Sequence, residues 1–415
     1  MRSKITPREA ANIIIDSVRP LPGTTVTLTG ALDRVLARDI HSAIDVPHWD
    51  NSAMDGYAVR SEDILGRCPV ALNIIERVPA GASPEKILQP GECARIFTGA
   101  PVPAGADGVV RQEHTTPLDD GRVRVDEDTD ARGNVRRKGE DIPKGSLVFS
   151  RGTQLGPAHL GVLASVAETE ICVHRAPVVA ILASGDEIVD PTERDSILQG
   201  KKIASSNTYT LTSMVRRAGG EVLQLGIAPD DPAELRRYVS SATEADFLIT
   251  TGGVSVGEHD YLRSVLEDMG ADIQFWRIRM RPGAPVGFGL LHQLPWLGLP
   301  GNPVSAMVGF ELFARPAIRR MLGHDRLFRR AVTVTTEEPI HLTAPLRHFL
   351  RIAVHERHGK YYASLTGAQG SGILSSMARA DALMIVPEDR VDVDPGSALS
   401  AILLEEPRHV STVPF

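Results

Sequence analysis

The chain has 415 residues, of which 42% are hydrophobic and 23% charged, and its formal net charge at pH 7 is −7. This length exceeds what one hydrophobic core accommodates, so we expect several domains of ordinary globular composition. The negative charge gives no reason to expect nucleic-acid binding, and any anionic ligand must be held by a local basic cluster. Three scattered cysteines and no apolar run of membrane-spanning length argue against a disulfide framework, a zinc site or a membrane span, and favour a cytoplasmic protein.

The first third of the chain predicts a short helix followed by a β-rich unit. Thr6, Pro7 and Glu9 have the spacing of a capping box with proline at the first helical position. Between residues 47 and 149, proline and glycine separate short apolar segments so often that long helices have no room. An apolar stretch over residues 156–166 predicts the next helix.

The middle third alternates between predicted strands and predicted helices. A helix capped by Ser206 or Asn207 is expected to end before Gly219. This alternation predicts a mostly parallel sheet covered on both faces, with ligands outside the carboxyl ends of its strands. The predicted strands are 178–182, 222–227, 247–249 and 273–278, and the predicted helices are 208–217, one opened by Asp231-Pro232, 261–269 and 304–322.

The last part of the chain contains predicted strands only. They span residues 331–335, 348–355, 360–366 and 382–386, and predict a small β-barrel or sandwich. We therefore expect a domain formed by residues 1–48 with 148–176, an inserted β-rich domain over 49–147, an α/β domain over 177–327 and a β domain over 328–415.

A glycine-containing loop follows the predicted strand at residues 247–249. Its run Thr250-Thr251-Gly252-Gly253-Val254-Ser255 leads to Asp260 and then to a predicted helix. A strand, a tight loop and a helix N-terminus together present free backbone N–H groups to an anion, and glycines permit a close approach. Asp260 suits a Mg²⁺ ion that bridges phosphate oxygens, although it also suits a helix cap.

Two other loops carry residues suited to phosphate or oxyanion chemistry. Asp186 and Glu187 follow a strand, where they form either a Mg²⁺ site or an exposed acidic turn. Pro300-Gly301-Asn302-Pro303 precedes a helix with Ser305 in its first turn. This rigid turn serves either as an oxyanion cradle at the helix N-terminus or as ordinary helix capping.

Basic residues alternate in one predicted strand. Arg277, Arg279 and Arg281 share one face of a strand by its period of two. Three cations on one face indicate an opposing anion, and guanidinium groups donate two parallel hydrogen bonds to oxyanions. A solvated edge strand is the alternative interpretation.

Three further runs complete a set of six ordered motifs. Residues 50–60 read Asp-Asn-Ser-Ala-Met-Asp-Gly-Tyr-Ala-Val-Arg, residues 95–107 read Arg-Ile-Phe-Thr-Gly-Ala-Pro-Val-Pro-Ala-Gly-Ala-Asp, and residues 134–141 read Asn-Val-Arg-Arg-Lys-Gly-Glu-Asp. With the loops around Glu187, Gly252 and Pro300, they resemble the molybdopterin molybdenumtransferase family, of the MoeA and gephyrin E-domain type. The resemblance extends from the first predicted helix to the last predicted strands.

This resemblance implies both a fold and an activity. The fold combines a central three-layer α/β/α domain with a mostly parallel, MogA-like sheet, a β-rich N-terminal region with an inserted β domain, and a C-terminal small β-barrel. The family implies a homodimer whose cleft lies between two chains. The implied reaction is the Mg²⁺-dependent insertion of molybdate into adenylylated molybdopterin, with release of AMP. Other molybdenum-cofactor biosynthesis proteins and recipient molybdoenzymes are the implied partners, with no nucleic acid and no membrane.

The resemblance also implies roles for particular residues. Relatives commonly carry lysine at the positions of Arg277 and Arg281, and often at Ala284, where this chain has no cation. The basic run at residues 136–138 is either a solvated face or a contact for the pterin phosphate. The implied catalytic residues are Asp55, Thr98, Asp141, Glu187 and Asp260; the metal ligands are Asp186, Glu187 and Asp260; and the substrate-binding residues are Thr251, Gly252, Gly253, Ser255, Arg277, Arg281, Pro300, Asn302, Pro303, Ser305, Arg351 and Ser371.

Two other functions remain open at this stage. Molybdopterin adenylyltransferases resemble the middle domain alone and typically read Thr-Gly-Gly-Thr-Gly where this chain reads Thr-Gly-Gly-Val-Ser. A non-catalytic scaffold of the same fold is the second alternative, against which the acidic and Pro-Gly-Asn-Pro motifs argue. No residue type distinguishes molybdate from tungstate, which have nearly the same size and charge.

Overall fold

The computed structural model describes residues 2–253 and 261–405. The chain forms two compact units, one made of Met1–Thr24 with His174–Phe415 and the other of Thr25–Val173. Within the described ranges, no helix is both long and apolar enough to cross a membrane. Two residues of the predicted site, Ser255 and Asp260, lie outside the described residues.

The helices and strands have the following bounds. The helices are α1 (Pro7–Ser17), α2 (Ser61–Ile64), α3 (Pro157–Ser165), α4 (Arg194–Leu198), α5 (Ser206–Arg217), α6 (Pro232–Ser240), α7 (Leu262–Asp268), α8 (Pro303–Gly309), α9 (Arg315–Met321) and α10 (Leu374–Ala378). The strands are β1 (Arg2–Ile5), β2 (Gly23–Thr27), β3 (Ile40–His41), β4 (Asn51–Ser52), β5 (Gly56–Val59), β6 (Val70–Val78), β7 (Glu92–Ile96), β8 (Gly108–Arg111), β9 (Thr115–Pro117), β10 (Arg122–Val125), β11 (Val135–Arg136), β12 (Leu147–Phe149), β13 (Glu170–His174), β14 (Val178–Ser184), β15 (Ile188–Val189), β16 (Ile203–Ala204), β17 (Glu221–Ala228), β18 (Phe247–Thr251), β19 (Ala271–Ile278), β20 (Met280–Arg281), β21 (Gly287–Leu291), β22 (Leu294–Leu299), β23 (Ala331–Thr336), β24 (Ile340–His341), β25 (Arg347–Arg357), β26 (Lys360–Leu365), β27 (Ala382–Val386), β28 (Asp392–Val393) and β29 (Ala398–Leu403).

A seven-stranded sheet organises the larger unit, in the order β1-β19-β21-β22-β18-β14-β17. The pairings β22–β18, β18–β14, β14–β17 and β1–β19 are parallel, which confirms the predicted mostly parallel sheet. The hairpin β21–β22 is antiparallel. It was not predicted, because the prediction rested on strands that alternate with helices, and no helix separates these apolar residues from the turn at Pro282. The strand β1 extends the same sheet from the N-terminus of the chain.

Side chains of the central strands alternate between two hydrophobic cores. Val179 and Ile181 of β14 pack on the face covered by α1, α5, α8 and α9. Ala180 and Leu182 pack on the opposite face, which α6 and α7 cover. Because successive side chains of a strand point to opposite faces, a strand buried on both sides must be apolar throughout. This arrangement confirms the predicted three-layer α/β/α domain.

Most predicted helix ends are confirmed, with one correction and one irregularity. Thr6 and Glu9 form the expected capping box, and Asp231 caps α6. The helix α5 begins at Ser206 with Ser205 as its N-cap residue, so the prediction that Ser206 or Asn207 caps it is wrong. The predicted helix 304–322 contains a π-helical segment, Phe310–Ala314, between α8 and α9. Pro316 follows that segment, and a proline without N–H cannot complete the regular α-helical hydrogen bonds.

The smaller unit is rich in β-structure, as predicted. Its main sheet has six strands in the order β8-β5-β7-β6-β10-β9. The helix between β5 and β6, α2, has only 4 residues. Three two-stranded pairings, β2–β13, β3–β12 and β4–β11, also belong to this part of the chain.

The C-terminal strands form a small barrel. Their order is β20-β25-β26-β23-β29-β27, and an additional β25–β27 pairing closes the sheet on itself. This closure confirms the predicted C-terminal barrel. The prediction that Arg277, Arg279 and Arg281 lie along one strand is wrong, because β19 ends at Ile278 and Arg281 pairs with the barrel strand β25. Arg277 has a φ of 72°, which interrupts the regular pleat there.

Candidate active site

Three loops meet at one edge of the larger unit's sheet. Strands β14, β18 and β22 are parallel neighbours, and Thr251 is paired with both Ala183 and Leu299. Because parallel strands end at the same edge, the loops that follow these three strands lie side by side. They surround a cavity of about 710 Å³. Its lining includes Ser184, Gly185, Glu187, Asn207, Thr251, Gly252, Gly253, Gly301, Asn302 and Pro303.

Glycine is required where the second loop passes the first. Gly252 has a φ of +90°, and a Cβ atom there would lie 2.5 Å from the carbonyl oxygen of Ser184. Any side chain would therefore collide with backbone in addition to straining the left-handed conformation. The Gly252 N–H donates to the carbonyl of Leu299 at 3.1 Å. The backbone at Gly252 is therefore close to Ser184 on one side and to Leu299 on the other, and glycine permits this close approach.

Asn207 is a functional candidate that the sequence analysis missed. Its Nδ2 donates to Thr251 Oγ1 at 2.7 Å and to the carbonyl oxygen of Gly301 at 2.8 Å. The Thr251 hydroxyl in turn donates to the carbonyl of Pro300 at 3.2 Å. One amide on α5 thus connects two of the loops. The only sequence signal for Asn207 was its position near the start of a predicted helix, and that position is equally typical of a capping residue.

Of the three predicted metal-binding carboxylates, the two that the structure describes point to different places. Glu187 lines the cavity, and a Cβ on Gly185 would lie 2.7 Å from its Oε2 atom, so the carboxylate bends over this glycine. Asp186 accepts the backbone N–H of Asp230 at 3.1 Å and is not among the residues that line the cavity. Asp260 lies outside the described residues. In the parts of the chain that the structure describes, no three His, Cys, Asp or Glu side chains are grouped to hold a metal ion.

Two residues that line the cavity each have a buried side-chain oxygen without a hydrogen-bond partner among the described residues. These oxygens are Ser184 Oγ and Asn207 Oδ1. Buried polar atoms in native proteins are nearly always paired, so orphaned oxygens at a cavity wall indicate a polar ligand or cation.

The turn at residues 300–303 forms a wall of the cavity. Asn302 and Pro303 line it, and Ser305 behind them is buried. The Val304 N–H donates to the carbonyl of Ser371 at 3.0 Å, and Pro303 has no N–H. Two of the first donor positions of this helix are therefore unavailable to a ligand, and the oxyanion cradle expected at its N-terminus stays a prediction.

A second cavity, of about 230 Å³, lies where β20 meets the barrel. Arg281 and Arg351 line it, and no carboxylate is among its lining residues. Arg351 is fully buried, and its Nε donates to Ser376 Oγ at 3.1 Å and its Nη2 to the Gly370 carbonyl at 3.0 Å. Its Nη1 has no partner among the described residues, and burial lowers the pKa of this guanidinium. A buried cation without a counterion indicates an anion site.

The loop at residues 369–372 separates the two cavities. Gly370 lines the smaller cavity and Gly372 the larger, while Ser371 between them accepts the Val304 N–H. The prediction that Arg281, Arg351, Ser371 and the turn at 300–305 converge on one pocket is corrected to two adjoining cavities. Arg277 lines neither of them.

In the smaller unit, the structure joins two of the three predicted catalytic residues. The backbone N–H and the hydroxyl of Thr98 both donate to Asp55 Oδ1 at 2.8 Å, and these bonds lower the pKa of Asp55. Asp141 instead uses its backbone N–H to bond the Val46 carbonyl.

The basic run at residues 136–138 is paired locally. Arg137 bonds Asp50 at 2.7 Å, and Lys138 lies 3.5 Å from Asp45. These contacts favour the interpretation of a solvated, ion-paired surface.

Comparison with known proteins relates these features to one family. Residues 5–167 match the MoeA N-terminal region (domain I and II), residues 180–320 a probable molybdopterin binding domain, and residues 333–404 the MoeA C-terminal region (domain IV). The molybdopterin molybdenumtransferase of a Nostoc species is 36% identical over 96% of this chain and 93% of its own length. That of Haemophilus influenzae is 35% identical over 92% of this chain and 94% of its own.

A solved structure agrees with these sequence relatives. The crystal structure of the molybdopterin biosynthesis MoeA protein from Pyrococcus horikosii superimposes with a TM-score of 0.83 at 30% identity, covering 97% of this chain and 99% of that one. The α/β domain, the barrel and the loops at the sheet edge are thus those of an enzyme of molybdenum cofactor biosynthesis. The chain belongs to the molybdopterin molybdenumtransferase family, which confirms the resemblance carried by the six motifs.

Proposed function

We propose that this chain inserts molybdate into adenylylated molybdopterin and releases AMP, in a Mg²⁺-dependent reaction. The observation that carries the proposal is the pair of adjoining cavities. The larger has the carboxylate and orphaned oxygens that a metal–phosphate group needs. The smaller is lined by arginines without a carboxylate. Gly370 and Gly372 of one loop line one cavity each.

The larger cavity is the proposed site for the pterin nucleotide. Its volume of about 710 Å³ falls within the range of small-molecule sites, which is roughly 300–1,000 Å³. Backbone groups of Gly252, Gly253 and Asn302 line the edge of the sheet, where phosphates bind in open α/β folds. Asn207 and Thr251 hold these loops in place.

The described oxygen donors fit a Mg²⁺ ion held together with substrate. Mg²⁺ is usually bound by one or two carboxylates plus substrate phosphates and water. Glu187 supplies a carboxylate at the cavity wall, and Ser184 Oγ and Asn207 Oδ1 are unpartnered oxygens beside it. When bound, the ion would neutralise charge on the phosphate that leaves with AMP. Asp186 and Asp260 are proposed ligands on the basis of the resemblance.

The smaller cavity is the proposed site for molybdate. A tetrahedral dianion that leaves water needs compensating donors, and Arg351 offers an unpartnered, buried Nη1. Arg281 supplies a second guanidinium from β20. Ser371 and the turn at residues 300–305 lie between this site and the pterin nucleotide, where metal transfer must occur.

A homodimer is the proposed assembly, with Asp55, Thr98 and Asp141 of one chain acting at the cleft of the other. Support comes from the family resemblance and from the division of the candidate residues between two compact units. The four-domain division at residues 1–48 with 148–176, 49–147, 177–327 and 328–415 belongs to the same proposal. Other cofactor-biosynthesis proteins and molybdoenzymes are the proposed partners.

The test is an assay that measures AMP release and pterin-bound metal together. Purified protein is incubated with adenylylated molybdopterin, with and without molybdate and with and without Mg²⁺. The proposal requires AMP release and metal insertion only when both are present. ATP consumption with unmodified molybdopterin would identify an adenylyltransferase instead, and no turnover by a stably folded protein would favour a scaffold. Replacing molybdate by tungstate measures the metal preference.

A further inference from the structure

His348 lines the smaller cavity together with Arg281 and Arg351. It is buried, and it is paired with Arg281 across the β20–β25 contact. The other polar residues that line this cavity are Thr343, Gln369 and His341. The residue His348 therefore borders the space that we assign to the oxyanion.

The hydrogen bond of the ring fixes its tautomer. His348 Nε2 lies 3.0 Å from the carbonyl oxygen of Ala344. A carbonyl only accepts, so Nε2 carries the hydrogen, and in the neutral ring Nδ1 is left as an acceptor. Within the described residues, Nδ1 makes no hydrogen bond. This nitrogen gains a donor function only by binding a second proton.

The surroundings favour the neutral ring in the free protein. Burial lowers the pKa of His348, the Ala344 bond opposes that effect, and the nearby Arg281 charge lowers it further. The other charged groups near the cavity are Arg351, the pair His341–Asp392 at 2.7 Å and the pair Arg347–Glu388 at 2.9 Å. Both carboxylates are thus engaged elsewhere, and a bound dianion would be the opposite charge that favours protonation of the ring.

We propose that His348 is a further molybdate-binding residue, whose Nδ1 takes up one proton from solvent and donates it to an oxyanion oxygen. This inference rests on the proposed function for the identity of the anion. It gives the cavity a third donor beside Arg281 and Arg351, at a position that no motif in the sequence indicates. Binding of the dianion is then coupled to uptake of one proton.

The coupling predicts how affinity depends on pH. The coupling applies at pH values where the ring is neutral in the free protein and protonated in the complex. In that range, the dissociation constant for molybdate falls up to about tenfold for each unit by which the pH is lowered. Isothermal titration of molybdate alone into the full chain measures this between about pH 5 and pH 8, the range in which histidine titrates. Two buffers of different ionisation enthalpy, at each pH, give the number of protons taken up.

His348→Gln is the informative variant, because glutamine retains a donor for the Ala344 carbonyl but does not titrate. We expect its dissociation constant to be nearly independent of pH and its proton uptake to be lost. His341→Gln is the matched control, since His341 lines the same cavity but is paired with Asp392; it should keep the wild-type pH dependence. Thermal unfolding checks that both variants are folded. If either is not, the proton uptake measured for the wild-type chain tests the inference by itself.

Three results would overturn the inference, and they are of two distinguishable kinds. Molybdate binding by the wild-type chain without proton uptake, or the same pH dependence in His348→Gln, would remove the role of His348 and leave the proposed function intact. No molybdate binding at any pH would reject the assignment of this cavity itself, and the inference with it.

Discussion

The side-chain amide of Asn207 lies 2.7 Å from the hydroxyl of Thr251 and 2.8 Å from the carbonyl of Gly301, and donates to both. A single residue in the first turn of α5 therefore connects the loops that follow two neighbouring strands. Those loops form the edge of the proposed nucleotide site.

Asn207→Ala should lower the free energy of unfolding by about 1–3 kcal/mol, because it leaves the Gly301 carbonyl and the Thr251 hydroxyl without their buried donor. Urea-induced unfolding measures the change. Ser213→Ala on the exposed face of α5 is the control, and should change stability by less than about 0.5 kcal/mol. Equal stabilities for the two variants would contradict the connecting role.

Glu187→Gln should abolish turnover without changing the melting temperature. The substitution removes the charge needed to hold Mg²⁺ with substrate phosphates but preserves shape. Glu193→Gln, an exposed change in the same segment, is the control and should retain wild-type AMP release. A Glu187→Gln variant with wild-type turnover would establish that this carboxylate is only part of a solvated turn.

Arg281→Ala should raise the molybdate concentration needed for half-maximal turnover by roughly tenfold to a hundredfold, as expected for one lost charge-assisted hydrogen bond of about 1.5–3 kcal/mol. The pterin nucleotide concentration for half-maximal turnover should change little. Arg279→Ala is the control, because Arg279 is exposed and lines neither cavity. If only pterin binding suffers in Arg281→Ala, the residue belongs to the pterin phosphate site.

Mixing Asp55→Ala chains with Glu187→Ala chains should restore part of the activity that each lacks alone. A dimer with shared clefts then contains one site with both residues intact. The measurement is AMP release after the two variants are unfolded and refolded together, with mass spectrometry to verify mixed dimers. Stable mixed dimers that remain inactive would exclude a cleft shared between chains.

Acid should destabilise the larger unit partly through His324. Burial, with Arg319 and Arg315 nearby, lowers the pKa of His324 to about 4, and Arg319 donates to its Nδ1 at 3.2 Å. The unfolded histidine binds a proton first, so this contribution to stability is complete above about pH 6.5 and is lost as the pH falls toward 4. We expect a slope of up to about 1.4 kcal/mol per pH unit. Unfolding curves of His324→Gln should have a smaller slope over this window.

Local sequence patterns determined the elements and their order. The apolar segment of β14 is continuous because both faces of that strand are buried, and such a run is recognisable without any tertiary information. The capping box joins Thr6 and Glu9, which are three positions apart in the chain, so a local sequence pattern is enough to predict it. Gly252 was recognised for the same reason, since its left-handed conformation is a local requirement.

The site depended on contacts that no local pattern contains. Asn207 meets Gly301 across 94 positions of the chain, and Arg281 meets His348 only because β20 leaves the α/β sheet and pairs with the barrel. The sequence by itself determined the family, the layers and the loops that carry the chemistry, because each rests on neighbouring residues. Only the tertiary structure decided that the oxyanion residues line two adjoining cavities and that Arg351 has an unpartnered buried donor, because strand register and packing set distances between residues far apart in the chain.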